Sequence, residues 1–180
     1  MNFVPTELPE VVVVEPKVFG DSRGFFMEVF HAARFAEAGL PTEWKQDNIS
    51  RSQKNVLRGL HFQLTQPQGK LVRCLRGAIY DVAVDVRRSS PTFGKWVGVE
   101  ISEENRRALY VPVGFAHGFC VLSDLADVEY KCTDLYAPQH ERSLIWNDPA
   151  VGVKWPLTGE AQLSPKDLLG KSLAELECYA

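Results

Sequence analysis

Four histidines, His31, His61, His117 and His140, are the candidate general bases of this chain, and no two stand at a spacing that would make a local pair of metal ligands. A composite site from His61, His117 and a distant carboxylate would lack the usual ligand spacing, so no metal is expected. Two strand-like segments carry polar groups at alternating positions: Leu57-Arg58-Gly59-Leu60-His61-Phe62-Gln63, and residues 128–136, where a period of two puts Tyr130, Cys132 and Tyr136 on one face. No glycine-rich phosphate loop, dinucleotide fingerprint or nucleophile elbow occurs. This excludes nicotinamide enzymes, P-loop NTPases and the commonest serine hydrolases, and it leaves the chemistry to side chains. Local pattern alone gives each candidate a structural reading: His61 a satisfied core histidine, Tyr130 a packed aromatic, Asp167 a helix cap, and Arg23, Arg58, Lys70 and Lys166 solvated charges.

The elements that must position these groups are mostly strands. A chain of 180 residues, 45% apolar and 24% charged, fits one globular domain with a sizeable core. Twenty Lys and Arg against 23 Asp and Glu give a net charge of −3, so no general positive field exists to hold a nucleic acid, and an anion must be met by a local basic patch. The first sixteen residues contain no Lys or Arg, and their only apolar run, residues 11–14, is far too short for a signal peptide or membrane span. A cytoplasmic protein with no membrane partner is the expectation. The four cysteines, Cys74, Cys120, Cys132 and Cys178, are read as free thiols. Asn48-Ile49-Ser50 matches a glycosylation acceptor, a reading discarded because nothing else points to secretion.

Residues 78–86 alternate, with Tyr80, Val82, Val84 and Val86 on one face and Asp81 and Asp85 on the other. Further strand-like runs cover 24–30, 57–62, 71–76, 96–101, 107–111, 118–122 and 128–136, separated by turn signals such as Ser89-Ser90-Pro91. Such a series of short strands predicts a sandwich or barrel. Helix is expected only over 31–38, ended by Gly39, and after Ser164. There Ser164 would cap, Pro165 would begin the helix, Asp167 would be the third-position acid, and Leu169, Leu173 and Leu176 would form the buried stripe.

Taken in order, several segments carry a family resemblance: 21–28 (Asp-Ser-Arg-Gly-Phe-Phe-Met-Glu), Gln46-Asp47-Asn48, 57–63, Lys70-Leu71-Val72-Arg73, Pro112-Val113-Gly114-Phe115-Ala116-His117, Tyr130-Lys131-Cys132-Thr133 and Leu163-Ser164-Pro165-Lys166-Asp167. The chain resembles the dTDP-4-dehydrorhamnose 3,5-epimerases almost end to end. The resemblance implies an all-β, cupin-like double-stranded β-helix jelly roll with a few short helices, spanning 1–180 as one domain and pairing into a homodimer that exchanges N-terminal strands. It implies no cofactor and the substrate dTDP-4-dehydro-6-deoxy-D-glucose, whose C4 ketone acidifies the hydrogens on C3 and C5. Residues 112–117 are similar to the second cupin motif, but residues 59–63 lack the paired histidines of the first, which disfavours a metal cupin.

By the same resemblance His61 is the base, Asp167 the carboxylate that orients it, Lys70 the cation beside the enolate oxygen and Tyr130 the acid on the opposite face. Tyr136 would lie against the thymine ring, and Arg23, Arg58 and Lys166 would meet the phosphates. Glu28, Gln46, Asp47, Asn48, His117 and Glu141 fall on further substrate-contact positions. Leu135 replaces an aromatic common in the family and is expected to alter packing only. Arg58 and His61, like Arg23 and Glu28, are an odd number of residues apart, so strict alternation cannot aim both members of a pair into one pocket without a bulge, a strand end or a second subunit. A related enzyme inverting only C3, or a jelly-roll module that binds a nucleotide sugar without turning it over, are the competing readings.

Overall fold

The computed structural model describes residues 1–180. Strands β1 (Asn2–Pro5), β2 (Val12–Glu15), β5 (Gln46–Gln53), β7 (Lys70–Arg76), β10 (Ala108–Val111) and β12 (Leu125–Cys132) form an antiparallel sheet in the order β1-β2-β10-β7-β12-β5. A second antiparallel sheet runs β13-β6-β11-β8-β9, from β6 (Leu57–Gln63), β8 (Ala78–Asp85), β9 (Trp96–Ser102), β11 (Phe115–Val121) and β13 (Glu141–Ser143). A separate hairpin pairs β3 (Val18–Asp21) with β4 (Gly24–Met27). The sheets face each other as the two halves of a jelly roll, and no helix is long and apolar enough to cross a membrane.

Alternation in β8 shows how the sequence builds these layers. Val82 and Val84 point outward into a cluster with Leu60, Phe62, Ala116, Leu144, Leu173 and Leu176, so the C-terminal segment covers that sheet. Ile79 and Ala83 point inward, against Val72 and Val128 or Leu109 and Val111 of the opposite sheet. The outer face of the first sheet is covered by α1 (Ala32–Glu37), whose Phe35 packs with Val12, Val14, Leu71 and Tyr110. The outer face of the first sheet is therefore covered only over β2, β10 and β7, with Ile49 on β5 left 69% exposed, and the inward aspartates Asp81 and Asp85 are fully removed from water. Burial favours the neutral form of Asp85, yet Arg87, Ser90 and Thr92 converge on its carboxylate and lower its pKa to about 2.

Three expectations are corrected. The C-terminal helix α2 is one turn, Pro165–Leu168, and Leu169 is 80% exposed while Leu173 and Leu176 are buried. The Ser164 cap forms as read, but the following chain bonds to the end of β13: Lys171 N–H donates to Ser143 and its carbonyl accepts from Ile145. The close approach leaves no room for a side chain at Gly170, whose added Cβ would come within 2.7 Å of Ile145 Cα. Strand β12 ends at Cys132, so Tyr136 lies beyond it and strand periodicity does not relate it to Tyr130. Leu135, also outside the strand, is 52% exposed and does not join a core cluster. The polar strand β5 carries no apolar alternation and is absent from the sequence reading.

Candidate active site

Between the sheets, where the apolar clusters stop, lies a cavity of two connected lobes. The inner lobe, about 220 Å³, is lined by Ser50, Arg58, His61, Lys70, His117, Tyr130 and Asp167 among others. An outer lobe of about 270 Å³ adds Gln46, Asn48, Gln68, Cys132, Tyr136 and Glu141. His61, Lys70, Tyr130 and Lys166 line both.

A bulge between β6 and β11 brings Arg58 and His61 to the same lobe. His117 pairs with His61, whereas Phe119 pairs with Arg58, so the register slips by one residue between them. Glycine permits the slip: Gly59 has φ +120°, and a Cβ there would meet Gly118 Cα at 2.5 Å. The Gly59 N–H donates to Asp167 Oδ1 at 3.1 Å.

Asp167, only 3% exposed, divides its two oxygens between structure and site. Oδ2 accepts from Ser164 N–H at 3.2 Å and from Ser164 Oγ at 2.6 Å, closing the capping box. Oδ1 lies 2.8 Å from His61 Nε2, off the line of an ideal hydrogen bond but close enough for strong electrostatic coupling. Burial works to raise the Asp167 pKa, but His61, Ser164 and Gly59 outweigh it and hold the carboxyl well below the usual range. His61 Nδ1 lies 3.9 Å from Glu141 Oε1, so the ring sits between two carboxylates.

Lys70 Nζ reaches the His61 carbonyl at 3.4 Å. Burial lowers its pKa, partly offset by Cys132, Glu141 and Asp81. Tyr130 is pushed upward, first by burial, so its phenol remains protonated at neutral pH. His117 is buried, and its Nε2 contacts Asp81 Oδ1 at 2.6 Å. At the mouth Lys166 pairs with Glu141 and sits 5.7 Å from the Tyr136 ring, and Tyr136 Oη donates to Glu141 at 2.9 Å. Despite desolvation, which opposes it, the pairing with Glu141 raises the Lys166 pKa.

The inward face of β5 supplies Gln46 and Asn48, joined by a 2.9 Å hydrogen bond, while Gln46 Oε1 accepts from Tyr136 N–H. Asp47, between them, points the other way, pairs with Lys131 at 2.6 Å and lines a separate open groove of about 740 Å³ that contains no histidine. Its side chain is therefore outside the cavity, as one-residue alternation requires. Arg23 and Glu28 are also elsewhere. Arg23 sits at the tip of the β3–β4 hairpin, bonded to Asp21 with its side chain 88% exposed, and Glu28 pairs with Arg34.

Sequence reasoning missed Ser50, Ser164 and Asp81 as contributors. The first had no signal, because residues 46–53 are polar at every position but Ile49 and no alternation marks an inward face. Asp81 stood on the face opposite the valines of β8, but only the second sheet reveals that face as interior.

The family model described as dTDP-4-dehydrorhamnose 3,5-epimerase matches residues 5–175. A dTDP-4-dehydrorhamnose 3,5-epimerase of Pseudomonas aeruginosa is 54% identical over 173 residues, covering 96% of each chain. A crystal structure of a 3,5-epimerase from Legionella pneumophila in complex with dTDP-4-keto-L-rhamnose superposes with a TM-score of 0.95 at 52% identity, covering 99% of this chain and 98% of that one. A dTDP-4-dehydrorhamnose 3-epimerase of Streptomyces niveus is 41% identical, covering 97% of this chain and 85% of that protein.

Proposed function

The chain belongs to the dTDP-4-dehydrorhamnose 3,5-epimerase family, and we propose that the His61–Asp167 pair, Lys70 and Tyr130 carry its reaction. It is an isomerase acting on a nucleotide sugar in dTDP-rhamnose biosynthesis. The substrate, dTDP-4-dehydro-6-deoxy-D-glucose, presents a C4 ketone that stabilises a carbanion at C3 or C5 as an enolate. Each inversion then needs a base on one face, a cation near the C4 oxygen and a proton donor on the other face.

The contact between His61 and the buried Asp167 carries this assignment. As His61 takes a proton from carbon it becomes an imidazolium, which a carboxylate kept ionised at 2.8 Å stabilises. The Lys70 ammonium offsets charge developing on the enolate oxygen in a site partly closed to water. Tyr130, kept protonated by burial, returns a proton from the other side of the ring. Tyr136 offers a face to the nucleobase, and Arg58 and Lys166 offer charge to the phosphates. His61→Ala is expected to abolish turnover while leaving dTDP binding nearly unchanged, and equal turnover would remove His61 from its role. Inversion at C3 alone is the competing outcome, favoured by more distant relatives such as the 3-epimerase of Streptomyces niveus.

The hairpin supports a homodimer with exchanged N-terminal strands. A two-stranded ribbon is marginal by itself, yet this one exposes Phe19, Phe25 and Phe26, with Lys17 over Phe19 at 5.0 Å and Arg106 over Phe25 at 4.2 Å. Delivered to a partner, it would bring Arg23 and Glu28 to the second cavity. Mixed dimers of Arg23→Ala and His61→Ala subunits would then recover activity, because one cavity of each pair regains every group. No recovery on mixing would argue against the exchange.

A further inference from the structure

The inward face of β5 carries four polar residues in a row, Gln46, Asn48, Ser50 and Ser52, and three of them are engaged within the protein. Gln46 binds Asn48 and the Tyr136 N–H, Asn48 also reaches Cys132 Sγ at 3.8 Å, and Ser52 Oγ accepts from Arg58 Nε at 3.1 Å. Ser50 is the exception. Its Oγ is buried and has no hydrogen-bond partner, and the residue lines the inner lobe with Arg58, His61, Lys70, His117 and Tyr130. A buried hydroxyl with no partner in the protein that lines a cavity must be satisfied by whatever occupies the lobe.

Taking the reading of the site given above as its basis, we propose that Ser50 is a specificity-determining contact to the hexose, its hydroxyl pairing with a hydroxyl or carbonyl oxygen of the 4-keto sugar. The placement favours the sugar over the nucleobase. His61 and Tyr130, the two groups assigned to the reacting carbons, line both lobes and meet Ser50 and the phosphate-facing Arg58 in the inner one, whereas Tyr136, which offers its face to the nucleobase, lines only the outer lobe. Ser50 also sits two residues further along the same strand face than Asn48, away from the mouth residues. Opposite it on β12 is Val128, which cannot bond to the hydroxyl.

The test is Ser50→Ala, which removes one oxygen and adds no bulk. The kcat/KM for the 4-keto sugar should fall roughly three- to tenfold, the loss of one neutral hydrogen bond, while the Kd for dTDP alone stays unchanged. The melting temperature should hold or rise, because an unpaired buried hydroxyl has been removed. Three results would each overturn the assignment: unchanged kcat/KM, an equal loss of dTDP affinity, or a lower melting temperature showing that the hydroxyl serves the fold. His61→Ala, assayed alongside, separates this from the site reading itself. A dead His61 variant beside an unaffected Ser50 variant sinks only the serine assignment, whereas an active His61 variant sinks the reading beneath it.

Discussion

Replacing Asp167 by Asn asks whether this carboxylate acts on the chemistry or only caps a one-turn helix. Three N–H groups face its oxygens in the wild-type protein: Gly59 N–H and His61 Nε2 at Oδ1, and Ser164 N–H at Oδ2. An amide has one accepting oxygen. If that oxygen stays at the histidine, the new NH2 opposes the Ser164 N–H and opens the cap. If it turns to Ser164, the NH2 opposes the Gly59 N–H and forces His61 to accept at Nε2, reversing its tautomer. Either orientation sets donor against donor, at about 1–3 kcal/mol of stability. Both also remove the charge that stabilises the imidazolium. We expect kcat to fall by about 10²- to 10⁴-fold, the range of a disabled acid–base pair. Solvent-deuterium exchange into the 4-keto sugar, followed by NMR, reads the rate, and thermal melting reads the cap. A lower melting temperature with kcat within about threefold of wild type would show that Asp167 is only a cap, and the proton-transfer argument would fail.

Lys70→Met should abolish most turnover, roughly 10²- to 10³-fold, yet raise the melting temperature at neutral pH. Because burial holds Lys70 below the ordinary lysine range, the folded protein releases this proton before the unfolded chain does, so the charged form weakens the fold at neutral pH and that penalty fades as pH rises toward the ordinary value of about 10.4. A variant that melts lower at pH 7 would contradict this. Asp85→Asn should destabilise by about 3–5 kcal/mol by leaving Arg87 without its buried partner, while the folded fraction keeps its specific activity. With a folded pKa near 2, the Asp85 contribution is fully present above the ordinary carboxylate value of about 3.9 and disappears as pH falls through about 2. Denaturant titrations of wild type and variant should therefore converge in acid, and a constant difference across that window would exclude the linkage.

The sequence disclosed the strands whose apolar residues alternate, because burial imposes that alternation directly. It concealed β5 for the reason that makes β5 useful: its inward face lines the cavity and is polar, and its outward face is polar too except at Ile49. The C-terminal helix was over-read because Ser164, Pro165 and Asp167 announce a helix start correctly, whereas its end is set by pairing with Ser143 and Ile145, far away in the chain. The placement of Arg58 beside His61 depended on a bulge that needs Gly59 and Gly118 to meet across two strands, a contact with no local signature. Asp167 was legible as a cap, and the second use of its carboxylate became visible only once β6 lay beside α2.

The most direct measurement is turnover of the 4-keto sugar in deuterated water, with the product analysed carbon by carbon. Wild-type protein should introduce deuterium at both C3 and C5, and His61→Ala should introduce it at neither. Label at C3 alone in the wild-type product, or undiminished label at both carbons in the His61 variant, would contradict a single imidazole base serving two centres.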